Sequence, residues 1–127
     1  MLDASKAYNG FAVDDIQKAK QFYGETLGLK VTELDVGAPQ PLLELHAGSQ
    51  PSLIYEKPDL EPANYTILNF PVDDIDAVVD QLAERGVSFE RYDWANQDEK
   101  GVNRGMGPAI AWFKDPAGNV LSVLEGD

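Results

Sequence analysis

The chain has 127 residues, enough for one domain whose core hides roughly two-thirds of the surface exposed when unfolded. Lys and Arg number 10 against 22 Asp and Glu, and the net charge of −12 argues against nucleic acid or anionic membrane as a partner, since both need basic patches. Cysteine is absent, which excludes disulfides and thiolate chemistry; with no signal peptide and no ~20-residue apolar span, a cytoplasmic location is expected.

The first apolar stretch, residues 8–12, reads as a strand and runs into Val13-Asp14-Asp15-Ile16. A helix should open there, because Ile16, Ala19, Tyr23 and Leu27 fall three and four apart on one stripe. Asp14 is expected to cap it, with Gln17 as the capping-box partner, and Gly28 to end it in a left-handed turn. Three strand-like segments follow at 29–34, 42–46 and 52–56. Residues 57–64, with Pro58 and Pro62, read as a linker.

The pattern then begins again. A second apolar stretch, residues 66–70, leads into Val72-Asp73-Asp74-Ile75, a return of the first motif 59 positions on. Ile75, Val78, Val79, Leu82 and Ala83 form the stripe, Asp73 the expected cap and Gly86 the stop. Strands are expected at 87–91, 109–114 and 120–125, the last two joined by the turn Asp115-Pro116-Ala117-Gly118-Asn119. Between them, residues 93–108 form a long loop containing Trp94, Arg104 and Gly105-Met106-Gly107. A loop of that length in a small domain is usually functional, so it is expected to cover a pocket, with Trp94 or Arg104 reaching a ligand. Each half thus reads strand, helix, strand, strand, strand.

Taken together, Phe11 to Ile16, Lys18 to Tyr23, Leu27-Gly28-Leu29, the second Val-Asp-Asp-Ile and Trp112 to Asn119 resemble the vicinal-oxygen-chelate superfamily, the glyoxalase, bleomycin-resistance and extradiol-dioxygenase fold, over nearly the whole chain. The resemblance implies an α+β domain spanning 1–127, made of two βαβββ modules (about 5–57 and 65–126) whose curved mixed sheets form a cup-shaped cleft, commonly in homodimers. Metal-dependent members place four ligands on strands one, four, five and eight. The matching positions here are Tyr8, Ile54, Ile67 and Ser122, a set without adequate donors, so no metal and no cofactor is expected.

What the cup would hold is then a small molecule. Tyr8, Ile54, Ile67, Trp112 and Ser122 are expected to line it, with Glu56 near the rim and Trp94 and Arg104 arriving from the loop. Trp112 faces Ser122 if Lys114 and Val120 flank the last turn as a pair. The favoured function is metal-independent binding of an aromatic or cationic compound, similar to the drug-sequestering members. The alternative is a lyase, isomerase or dioxygenase-like enzyme built around Glu56, since a carboxyl in an apolar cup suits acid–base work near neutral pH. A third reading, a protein-binding module, would need a filled cup and an apolar outer strand.

Overall fold

The computed structural model describes residues 1–126, which form two compact units, Met1–Pro62 and the segment from Ala63 onward. The boundary falls inside the proline-containing linker read from the sequence. Both helices and strands are present, in two mixed sheets of four and three strands, so the fold is α+β.

In the first unit the order is β1 (Gly10–Val13), α1 (Ile16–Gln21), β2 (Val31–Leu34), β3 (Leu42–Leu45) and β4 (Ser52–Glu56), with the sheet arranged β1-β4-β3-β2. Strands β1 and β4 run parallel; the other pairs are antiparallel. Alternation divides the sheet. Phe11, Ile54, Leu43 and Leu45 turn toward α1 and are buried, and the Phe11 ring lies 5.9 Å from that of Tyr23. Past Gln21 the helix widens into one turn of i→i+5 bonding, Leu27 N–H donating to the Phe22 carbonyl at 2.9 Å. Gly28 then stops it at φ 72°, a conformation glycine adopts without strain.

The second unit contains β5 (Thr66–Val72), α2 (Ile75–Glu84), β6 (Ile110–Lys114) and β7 (Val120–Glu125), arranged β5-β7-β6. The parallel pair here is β5 with β7, the counterpart of β1 with β4. Leu121, Val123 and Phe113 form the buried side with Ile75, Val79 and Leu82 of α2. The turn after β6 is held by Asp115, whose Oδ1 accepts from Ala117 and Asn119 N–H at 3.0 and 2.9 Å, while Gly118 takes φ 97°.

Two expectations need correction. The helix caps are Asp15 and Asp74, one residue later than Asp14 and Asp73: Asp15 Oδ1 accepts from Gln17 and Lys18 N–H, and Asp74 Oδ1 from Ala77 N–H. The strand expected at 87–91 is reduced to a single bridge, Phe89 with Phe113, beside Glu90 N–H donating to the Trp112 carbonyl at 2.7 Å. Beyond it the Gln97 side chain does a strand's bonding, accepting from Tyr92 N–H at 2.9 Å and donating to the Glu90 carbonyl at 2.8 Å.

Candidate functional site

The side of the second sheet turned away from α2 carries the most concentrated set of side chains suited to binding. Register decides who stands there. Trp112 pairs with Ser122 across β6 and β7, and Ser122 pairs with Asn69 across β7 and β5, so all three share that side. The pairing of Lys114 with Val120 that the sequence suggested is present. Ser122 is fully buried and its hydroxyl donates to Asn69 Oδ1 at 2.5 Å, while Asn69 itself is exposed.

Two rings from the following loop complete the surface. A tight turn, Ala95 N–H to the Tyr92 carbonyl at 3.1 Å, doubles the chain back so that Trp94 stacks on Tyr92, centroids 5.5 Å apart and planes 11° apart. Both rings meet Trp112 edge-on at 5.4 Å. Trp112 is only 9% exposed but Trp94 is 64% exposed, so the cluster offers a broad open aromatic face. Its edge is polar: Lys114 and Glu90 are 3.4 Å apart, and burial, then the Glu90 charge, raises the Tyr92 hydroxyl pKa against the opposing pull of Lys114.

The loop supporting this face is bonded to itself at several points. Asp98 Oδ1 accepts from Lys100 and Val102 N–H at 2.9 and 3.0 Å, and Asn103 Oδ1 accepts from Asn96 N–H at 2.7 Å. Burial alone would raise the Asp98 carboxyl pKa; those two amides and the Arg104 guanidinium outweigh it, and the pKa is lowered. Val102 and Asn103 are buried, and the segment is a folded hairpin knitted by side-chain amides. Arg104 does not reach the aromatic face. Its Nη2 donates to both oxygens of Asp76 on α2, at 2.9 and 3.0 Å, and its Nε approaches Asp98 at 3.4 Å.

The remaining residues expected in the cup are spread over different surfaces. Ile54 pairs with Phe11 and Glu56 with Val13, which puts both on the α1 side of the first sheet. Ile54 is fully buried, and Glu56 Oε1 accepts from Ile16 N–H at 3.0 Å, the first amide of α1. Glu125 does the same for Ile75 N–H of α2 at 3.3 Å, so the internal repeat includes a carboxylate at the end of the parallel strand. Tyr8 lies by contrast against the other side of that sheet, in a groove of about 410 Å³ with Leu34, Glu44, Gln50 and Leu53. Ile67 is half-buried at a bulge in β5, without a Cα partner on β7. His46, the one histidine, bonds Thr32 Oγ1 through Nε2 at 2.9 Å.

These placements do not fit the divalent ion that the resemblance brings to mind. Ile54 is core, Ser122 is bonded to Asn69, and Tyr8 stands across a sheet from Ile54. On the open side of β4 the neighbours of Gly10 and Ala12 are Leu53 and Tyr55, neither a competent replacement. Among the described residues no three His, Asp or Glu side chains gather as a metal site requires.

Sequence reading did not single out Tyr92. The missing signal was available in part, since Tyr92 lies two residues from Trp94, but the stack depends on a turn that no residue pair announces.

Comparison with known proteins agrees with this architecture. A family model for the glyoxalase/bleomycin resistance protein/dioxygenase superfamily matches residues 7–123. A glyoxalase family protein from Enterococcus faecalis is similar at 26% identity and TM-score 0.69, over 93% of this chain and 94% of that one. TnmS3, an antibiotic binding protein from Streptomyces sp. CB03234, is similar at 25% identity and TM-score 0.70, over 99% of this chain and 100% of that one. A member of the same superfamily from Sphaerobacter thermophilus DSM 20745, at 22% identity and TM-score 0.69 over 94% and 97% of the two chains, shares the fold. No curated protein matches. A match over most of the sequence, with two helix-backed mixed sheets behind it, places the chain in the glyoxalase/bleomycin resistance protein/dioxygenase superfamily.

Proposed function

We propose that the protein is a metal-independent binder of a planar aromatic compound, cationic by preference, taken up on the face formed by Trp94, Tyr92 and Trp112. The observation that carries this reading is the packing of three rings at 5.4–5.5 Å with the outermost, Trp94, left 64% exposed. Three rings in mutual contact make a contiguous aromatic patch rather than a single exposed ring, and such patches mark binding surfaces. Stacking would supply affinity, and ring faces attract cations. The net charge of −12 favours a cation at long range. Asn69, its Oδ1 occupied by Ser122, would turn its amide N–H groups to a ligand acceptor. A relative that is an antibiotic binding protein is in keeping with this reading.

The enzymatic alternative around Glu56 has less support, because that carboxylate is engaged by the Ile16 amide. Among the described residues no helix is long and apolar enough to cross a membrane. We read the protein as a cytoplasmic homodimer, and a monomer mass throughout the micromolar range would refute the dimer.

Trp94 provides the direct test. Trp94→Ala should weaken binding of proflavine, a planar aromatic cation, about tenfold, while folding stability changes by less than about 1 kcal/mol because the ring is mostly exposed. Equal dissociation constants for the variant and the native protein, from fluorescence titration, would rule out this face.

A further inference from the structure

The hairpin that presents Trp94 is fastened to α2 by charge. Arg104 holds Asp76 of α2 with its Nη2 2.9 and 3.0 Å from the two carboxylate oxygens, and its Nε lies 3.4 Å from Asp98. Lys100 adds contacts to Asp80 at 3.1 Å and to Asp76 at 3.8 Å. From Arg104 the connection to the aromatic face is short. Asn96 accepts from Arg104 N–H through its carbonyl and donates to the Arg104 carbonyl through Nδ2, both at 3.2 Å. Asn96 N–H donates to Asn103 Oδ1, and Trp94 stands two residues before it. These bonds join the strand of the hairpin bearing Trp94 to the strand bearing Arg104.

We propose that Arg104 is a positioning residue for the aromatic face: clamped on Asp76 and Asp98, it holds the hairpin so that Trp94 stays stacked, and loosening the clamp opens the face. This rests on the binding function proposed above. It adds that the stacking of Trp94 depends on ion pairs at the surface of α2 and therefore loosens as ionic strength rises. A surface pair is usually weak, but one within a network of three acids and two cations is the arrangement in which such pairs count. Ligand affinity is thereby coupled to a charge cluster that does not touch the ligand.

The test uses Arg104→Gln, Arg104→Lys and Trp94→Ala in the full chain, with two readouts. Near-UV circular dichroism reports the coupled Tyr92, Trp94 and Trp112 rings without any ligand, and proflavine titration reports affinity. Arg104→Gln should lose part of the ring signal and bind proflavine about fivefold more weakly, with global melting little changed. Arg104→Lys, which keeps the charge, should recover most of both, and 1 M NaCl should move the ligand-free ring signal of the native protein toward that of the Gln variant. If Trp94→Ala weakens proflavine binding while Arg104→Gln leaves spectrum and affinity unaltered, the clamp is refuted and the aromatic site stands. If Arg104→Gln disturbs the ring signal but Trp94→Ala does not change affinity, the binding function itself falls, and the role of the clamp with it.

Discussion

Trp112→Ala should lose about 3–5 kcal/mol of folding stability and abolish detectable proflavine binding. The ring is 9% exposed, abuts the stacked pair Tyr92 and Trp94 edge-on at 5.4 Å from each, and lies in the middle of β6 beside buried Ser122. Large-to-small replacement of a buried aromatic forfeits both the area removed from water and the contacts around the void. Loss of Trp112 also takes away the edge against which the other two rings are set, so binding should fail even where the variant stays folded. Trp112→Phe separates the two effects: it keeps an aromatic edge and should retain part of the affinity. Urea unfolding and fluorescence titration measure both. A folded Trp112→Ala variant with native affinity would put the ligand elsewhere.

Glu56→Ala should cost about 1–3 kcal/mol of stability and leave proflavine affinity within a factor of two. The carboxylate accepts from Ile16 N–H at 3.0 Å, and Ile16 is fully buried, so no water can readily take over that amide. It also lies at the positive end of α1, where a negative charge is favourable. Glu56→Gln keeps an acceptor oxygen without the charge and should lose less. Glu125→Ala should behave similarly with a smaller loss, because its bond to Ile75 N–H is longer at 3.3 Å. Denaturant titration gives the stabilities. Unchanged stability together with loss of binding or turnover would restore Glu56 as a site residue.

The helices, the repeated Val-Asp-Asp-Ile motif and the last hairpin were legible because each rests on local pattern. The stripe of Ile75, Val79 and Leu82 is buried, Gly28 and Gly86 take positive φ, and Val120–Glu125 begins and ends where the sequence put it. Choosing between adjacent acids was harder. Asp14 and Asp15 are both capable caps, and the selection depends on Asp15 adopting extended φ −142° just before Ile16. What failed has a common cause in long-range register. Ile54 and Glu56 were assigned to the open side of β4, but the pairing of Phe11 with Ile54 across 43 positions turns them to α1. A shift of one residue in a strand reverses every side chain, and nothing near Ile54 in sequence records its distant partner. Ile67 met a similar fate at the bulge in β5, which breaks the alternation its assignment assumed. Arg104 was legible as a loop cation, yet its partner Asp76 lies 28 positions earlier on a helix face. Trp112 and Ser122 were placed together correctly in advance because a tight turn fixes the register of the two strands it joins.

The most direct test of metal-independent aromatic binding is thermal unfolding of the native protein against two panels, divalent ions (Ni, Zn, Fe, Mn) and planar aromatic compounds with and without positive charge. A ligand specific to the folded state, at a hundred times its dissociation constant, adds about 2.7 kcal/mol, which moves the melting temperature visibly. The expected result is a rise with at least one planar aromatic compound, larger for cations, and none with any metal. A rise with a single metal and none with the aromatic compounds would contradict the account.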